Sequence, residues 1–472
     1  MPESTADPIL SLLADRIVNQ KVVSFHGEPV PKDIKAHPKP IHLSVGTPHH
    51  GFFPINGVNL DITLEPFGET TETVKVNKVA NDATKELDIK AAFQYGPTQG
   101  HPQLLNFTKE LIAEVNPPKY KDWDVTCTNG TGDSFNKVFG VIVNPGDVVL
   151  MEAYTYLPVC NYITNHGGIT VPVVMNHTSQ ENPGIDVDSL TELLENWETH
   201  HPQLRRPKAL YTIPTGQNPT GLTISQFNRA AIYNLAKLHN FLIVEDDPYG
   251  YIQLNDRVLK EEITPYQYVN ELLPSSYIQY DTTGHVIRLE SFSKTFAPGT
   301  RLGFVVGSSK IIKHMVKFAD ITSRAPSGIS QVVVNQFIQA VGGVEGWINW
   351  NINVSKEYAR RNIVLIETLQ KSEAFKKGYM KVIEPDAGMF AIVELNFPPN
   401  EQEDYRSELQ QLRCRLLESG VVVTYGSNFG ISEEYSKKAK FIRLTIAAAD
   451  DSSEIEEGMK RLGEGILKHF EQ

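Results

Sequence analysis

One pattern recurs along the middle of this chain: a short apolar run, a loop of polar and glycine residues, then a helical stretch. DWDVTCT runs into NGTGDS and FNKVFGVIV, and DVVLMEA runs into YTYLP. KALYTI leads to PTGQNPTG and ISQFNRAAIYNLAKLHN, FLIVE to DDPYGY, and VIRLES to FSKTFAPG. Strands that alternate with helices pair in parallel, and the helices cover both faces of the sheet. Ligands of such sheets sit at the carboxyl ends of the strands. Every polar cluster just quoted falls at such an end, so the alternation locates the candidate site before any single residue is considered.

The expected fold class is therefore α/β, with a large domain over 91–345. Residues 346–472 read differently. A helical stretch from about 331 to 369 leads into KVIEPDAGMFAIVEL, VVVTYG and FIRLTIA, separated by the charged segment EDYRSELQQLRCRLLESG. That predicts a smaller α+β domain. Residues 1–90, rich in Pro and Gly, form no clear α/β unit and are expected to be an N-terminal arm plus part of the small domain. Residues 259–284 are expected to be a surface excursion. The 472 residues, 40% of them hydrophobic, suffice for such a core.

Charge narrows the partners. Lys+Arg 44 against Asp+Glu 56 gives a net charge of −12, which argues against a nucleic-acid or anionic-membrane surface but leaves room for a local basic pocket. Three widely spaced cysteines, Cys127, Cys160 and Cys414, without C-x-x-C, fit a reducing compartment and give neither a disulfide framework nor a zinc site. The start, MPESTADPILSLLADRIV, lacks the basic and apolar regions of a secretory signal. No run approaches the ~18 apolar residues of a membrane helix. A cytoplasmic protein with small-molecule partners, no metal, no membrane and no nucleic acid is expected.

SFSKTFAPGTRLGF, 291–304, carries the most chemistry. Lys294 stands beside the hydroxyls of Ser291 and Ser293, and Pro298 and Gly299 turn the chain so that Arg301 can point back. An amine next to a phosphate clamp is what holds an aldehyde cofactor covalently while its phosphate is anchored. NGTGDS, 129–134, places Thr131 and Gly132 at a predicted helix start, where backbone N–H groups bind anions. It is not a dinucleotide fingerprint, because Phe135 stands where the third glycine belongs. In VEDDPYG, Asp246 and Tyr249 lie three apart across a proline. A carboxylate there can keep a pyridine nitrogen protonated and a phenol can donate to a ring oxygen, while Asp247 reads as a helix cap. In PTGQNPTG, the Asn218 amide can reach the same ring oxygen. Arg443, inside the apolar run FIRLTIA, needs an anion, either a structural one or a substrate carboxylate.

NPTG, then D-x-x-Y, then S-x-S-K with an arginine seven residues on, then a late arginine in a strand: this order resembles the fold type I aminotransferases that use pyridoxal 5′-phosphate (PLP), over about residues 40–465. YTIPTGQNPTG, FLIVEDDPYGY, FAPGTRL, ADITSRAPSG and FIRLTIA are similar to the fungal aromatic-amino-acid aminotransferases, a branch related to the kynurenine/aminoadipate aminotransferases. The resemblance implies a large domain with a mostly parallel seven-stranded sheet plus a smaller α+β domain. It implies that Lys294 binds the PLP aldehyde and shuttles the substrate proton, that Asp246 pairs with the ring nitrogen, and that Asn218 and Tyr249 contact the ring oxygen. Tyr156 would stack on the ring, while Thr131, Gly132, Ser291, Ser293 and Arg301 would hold the phosphate. Arg443 would bind the substrate carboxylate, and Asn218 would also belong to the substrate site. Tyr95 would reach the phosphate of a neighbouring subunit, which implies a homodimer with shared active sites. Gly132 departs from the family, which often has a side chain there for an extra contact, so that part of the grip would rest on backbone N–H. Arg324 is expected to be structural rather than to face a substrate across the dimer. The implied reaction is transamination of aromatic amino acids (Phe, Tyr, Trp, with kynurenine and 2-aminoadipate open) with a 2-oxo acid such as 2-oxoglutarate. A cysteine-conjugate β-lyase is the alternative. A PLP-sensing transcription regulator is disfavoured, because the first 40 residues are too short and acidic for a DNA-binding domain.

Overall fold

The computed structural model describes residues 8–20, 33–35, 37–41, 43 and 46–471. In chain order, β1 (Gly57–Thr63) and β2 (Thr71–Asn77) form a hairpin. There follow β3 (Trp123–Thr128), β4 (Val148–Glu152), β5 (Ile169–Val173), the short pair β6 (Met175–Asn176) and β7 (Gly184–Ile185), then β8 (Pro207–Thr212), β9 (Leu242–Asp246), β10 (Val286–Ser291) and β11 (Gly303–Ser308). Seven of these make one sheet in the order β3-β11-β10-β9-β8-β4-β5. Its pairings are parallel except those of β11, which runs antiparallel to both β10 and β3. The expected mostly parallel sheet is present. A second sheet, β12-β13-β15-β14, is antiparallel throughout and comprises β12 (Met380–Ile383), β13 (Phe390–Leu395), β14 (Thr424–Tyr425) and β15 (Phe441–Thr445).

Side chains along a strand alternate between faces. Met151, Tyr211, Val244 and Leu289 therefore enter one core, while Leu150, Leu210, Ile243 and Val286 enter the other. The same alternation sorts the acids of VEDD. Asp246 faces the first core; Glu245 and Asp247 face the second, where β10 presents Arg288 and Glu290. Arg288 lies 3.0 Å from Glu245, 2.9 Å from Asp247 and 2.7 Å from Glu290, all of them buried. Asp247 is thus an ion-pair partner of Arg288 and not a helix cap.

Helix Thr131–Ile142 receives the first described segment: Ala14 N donates to the Val141 carbonyl at 2.7 Å, and Arg16 donates to the carbonyls of Val143 at 2.7 Å and Gly140 at 2.6 Å. The β1–β2 hairpin brings Val76 into a small core with Leu87, Ile89, Ala92 and Val332. The segment around Ala14 and Arg16 and the β1–β2 hairpin thus pack on helices of the larger unit. The helical stretch expected near 331–369 is two helices, Gly328–Val341 and Gly343–Lys371, parted by Gly342 and Gly343 at φ 99° and 75°. The second crosses position 345/346 unbroken and packs on both units. The excursion at 259–284 is partly internal, since buried Tyr268 donates to the Tyr251 carbonyl at 2.6 Å. Among the described residues, no helix is long and apolar enough to cross a membrane.

The Arg288 cluster yields a stability prediction. Arg288→Met keeps bulk and removes the only cation that Glu245, Asp247 and Glu290 share in this cluster. A loss of about 3–5 kcal/mol is expected, read as a lower urea midpoint.

Candidate active site

The parallel strands β3, β4, β8, β9 and β10 all end at one edge of the large sheet. Because β11 is antiparallel, it contributes its beginning to that edge: Gly303 pairs with both Ser291 and Thr128. Arg301, two residues earlier, therefore arrives beside the loop after β3. A Cβ at Gly130 would lie 2.9 Å from an Arg301 terminal nitrogen, and Gly130 has φ 81°, so this position requires glycine twice over. Gly130 caps the helix Thr131–Ile142 without a side-chain hydrogen bond, leaving the helix start open to an anion.

Thr131, Gly132, Tyr156, Asn218, Asp246, Tyr249, Ser291, Ser293, Lys294, Arg301 and Arg443 line one cavity of about 410 Å³. Tyr95 lies outside it and is 83% exposed. Arg324, also outside, is exposed in the left-handed region at φ 58° and sits 4.0 Å from Asp320.

Asp246 is buried at the end of β9, and its Oδ2 accepts from the Tyr211 phenol at 2.7 Å. Its Oδ1 is buried without a partner among the described residues. Burial pushes this carboxyl up to about 7; Asp247 and Glu152 add to the rise, while Tyr211 and Lys294 oppose it. Burial likewise holds the Lys294 amine below its ordinary value, opposed by Asp246 and reinforced by Arg301 and Arg443. A lysine so lowered reaches its neutral, nucleophilic form more readily.

Arg443 comes from β15 on the second sheet. Its guanidinium lies 4.2 Å from the Phe390 ring centre and 4.8 Å from that of Phe429, and it donates to Asn218 Oδ1 at 2.7 Å. Among the described residues no carboxylate forms an ion pair with it, and its Nε is buried without a partner. Of the two partners left open for Arg443, no structural anion is found among them.

Sequence reasoning missed several groups. Tyr162, Phe135, Ile213 and Phe390 also line the cavity. Tyr211 pairs in register with Val244, so the two-residue period puts its phenol on the face of Asp246. Behind Asn218, buried Gln217 donates to Glu152 at 2.9 Å and to the Tyr154 carbonyl at 2.8 Å, and accepts from Thr220. A polar residue inside an apolar strand, such as Tyr211 or Glu152, was the available signal.

These groups fit PLP on the structure's own terms: an open helix start beside an arginine for the phosphate, a buried carboxylate oxygen without a partner for the ring nitrogen, and a depressed lysine for the aldehyde. Residues 55–462 match the family described as aminotransferase class I and II. Aromatic amino acid aminotransferase 2 of Saccharomyces cerevisiae is 36% identical, over 97% of this chain and 95% of its own. The crystal structure of the aromatic aminotransferase Aro9 from C. albicans superimposes with a TM-score of 0.93 at 38% identity, covering 99% of both chains. A kynurenine aminotransferase from Pyrococcus horikoshii, solved in complex with PMP, gives 0.66 at 27% identity, covering 80% of this chain and 83% of that one. The chain belongs to the class I and II aminotransferases and is a fold type I enzyme with PLP as its cofactor.

Proposed function

We propose that this enzyme moves the α-amino group of aromatic amino acids (phenylalanine, tyrosine and tryptophan, with kynurenine and 2-aminoadipate as further candidates) to a 2-oxo acid such as 2-oxoglutarate. The observation that carries the substrate class is Arg443, a guanidinium faced by the rings of Phe390 and Phe429 and without a carboxylate partner among the described residues. A planar guanidinium suits an α-carboxylate bidentately. Phe135, Tyr156, Tyr162, Tyr249 and Phe390 give the cavity an aromatic lining. The relatives named as aromatic aminotransferases support the same donor class.

When bound, PLP supplies an electrophilic carbon and a ring that draws electrons from the substrate Cα. In this reading the Lys294 amine would be the group that takes and holds the substrate Cα proton beside the bound cofactor. Asp246 Oδ1 holds the proton of the ring nitrogen, and Asn218 and Tyr249 donate to the ring oxygen. Tyr156 covers one face of the ring. Thr131, Gly132, Ser291, Ser293 and Arg301 hold the phosphate. Two half-reactions, with donor and then acceptor, make a ping-pong cycle.

The same proposal includes a cytoplasmic homodimer in which exposed Tyr95 reaches the partner's phosphate, and a division into an arm with part of the small domain (1–90), a PLP-binding domain (91–345) and a small domain (346–472). The edge of the large sheet supports the second part, since Asp246 and Ser291, which end two of its strands, line the cavity.

Three sets of measurements test this reading. In a panel of amino donors with 2-oxoglutarate, kcat/KM for aromatic donors is expected to exceed that for alanine by about 10-fold or more. Lys294→Ala is expected to lose the visible cofactor band together with at least about 10²–10⁴-fold in turnover. Equal rates for all donors would remove the aromatic assignment, and full turnover without Lys294 would remove the mechanism.

The second concerns pH. In cofactor-free protein the Asp246 carboxyl keeps its proton up to about 7, against an ordinary value of 3.8. The folded chain thus holds a proton that the unfolded chain has released, so this group's contribution to stability falls as pH rises from about 4 to about 7. Asp246→Asn removes that dependence. Relative to the parent, the cofactor-free variant is expected to gain about 1–3 kcal/mol between about pH 5 and pH 8, followed by urea denaturation.

The third concerns sharing. Mixing Tyr95→Phe with Lys294→Ala protein creates hybrid dimers with one intact site each. Activity above that of either parent is expected; its absence, with subunit exchange verified, would count against a shared site.

A further inference from the structure

The two glycines of NGTG answer different needs. Gly130 needs its φ of 81°. Gly132 does not: it is the second residue of the helix Thr131–Ile142, with ordinary helical backbone. Alanine would favour the helix there, so the reason for glycine must be space. A Cβ at 132 would lie 3.0 Å from Tyr162 Oη and 3.9 Å from its ring carbon Cζ, and no other group comes within 4 Å.

Tyr162 belongs to the helix Pro158–Asn165 and lines the same cavity as Thr131 and Gly132. Its ring centre packs 5.6 Å from that of Phe135, which fixes the ring and leaves the hydroxyl at the helix start. No group among the described residues is hydrogen-bonded to that hydroxyl. Gly130 makes room for the Arg301 guanidinium, and Gly132 makes room for the Tyr162 phenol in the same way.

We infer that Tyr162 is a phosphate-binding residue: its hydroxyl donates to the phosphate monoester held at the start of the helix Thr131–Ile142, in the space that a side chain at 132 would fill. The missing side chain at Gly132 is thus replaced from a second helix, and the grip does not rest on backbone N–H alone. The inference relies on the phosphate lying at this end of the cavity, as proposed above.

The test measures affinity instead of turnover. Cofactor is removed from the holoenzyme, and PLP, pyridoxal and inorganic phosphate are titrated back. Tyr162→Phe, which keeps the ring on Phe135, is expected to weaken PLP and inorganic phosphate by about 10-fold or more and to leave pyridoxal unchanged, as for a lost hydrogen bond to a charged acceptor. Gly132→Ala is expected to weaken PLP in the parent but to add nothing once the hydroxyl is gone, so the two changes are non-additive. Unchanged PLP affinity in Tyr162→Phe, or an equal loss for pyridoxal, overturns the assignment. Arg301→Ala separates the two readings. A loss with Arg301→Ala and none with Tyr162→Phe overturns the role of Tyr162 alone. Indifference to both overturns the placing of the phosphate.

Discussion

A carboxylate buried with one oxygen uncommitted is the constraint around which this site is arranged. Asp246 ends a strand whose faces are both covered, and Tyr211 occupies only Oδ2. A half-satisfied buried carboxylate is costly unless a cation or donor completes it. The neighbours are distributed so that the completion is left to the ligand. Glu245 and Asp247, adjacent in sequence, are turned to the opposite face by the strand period, where Arg288 neutralises them. Were Asp247 unpaired, its charge would push Asp246 further toward the protonated form, since it already raises it. The buried Arg288 cluster and the open oxygen of Asp246 are two sides of one strand end.

The second constraint is topological. A purely parallel sheet would bring only strand ends to the site edge, and Arg301 would be stranded at the far side of its own strand. The antiparallel course of β11 reverses that, at a local backbone cost: Arg301 is a non-glycine residue at φ 46°. Such left-handed residues cost on the order of 1 kcal/mol or more and are retained where surrounding structure fixes them. Here the conformation returns the guanidinium over Gly130, next to the open helix start, so one unfavourable residue delivers the cation that the loop itself lacks.

What was legible in the sequence was whatever local chain order determines. The alternation of apolar runs with polar loops announced the sheet, and strand ends announced the cavity; Lys294, Asp246, Asn218 and Arg301 were readable because each falls in a polar cluster at or after the end of an apolar run. Tyr211, Glu152 and Tyr162 were not, since their roles depend on register and on helix packing. Tyr211 matters only because it pairs with Val244, two residues short of Asp246. Tyr162 matters only because its helix lies against a position that has no Cβ. The break at Gly342 and Gly343 was visible as a glycine pair, yet the helical periodicity on either side obscured it.

Arg443 and Asn218 join the two sheets and give their relative placement a chemical meaning. Asn218 Oδ1 accepts from Arg443, which orients the amide and leaves Nδ2 as the group able to donate toward the cofactor ring. The rings of Phe390 and Phe429 lie against the guanidinium, and burial weakens its hold on its own proton. If a substrate carboxylate binds at Arg443, as proposed, it meets a half-buried cation that no carboxylate among the described residues neutralises, where a charge-assisted pair is strong. Because the same guanidinium holds Asn218, a shift of either sheet that misplaces the carboxylate also misplaces the amide. In the proposed reading, one hydrogen bond between a strand of the small sheet and a loop of the large one would tie substrate position to ring position.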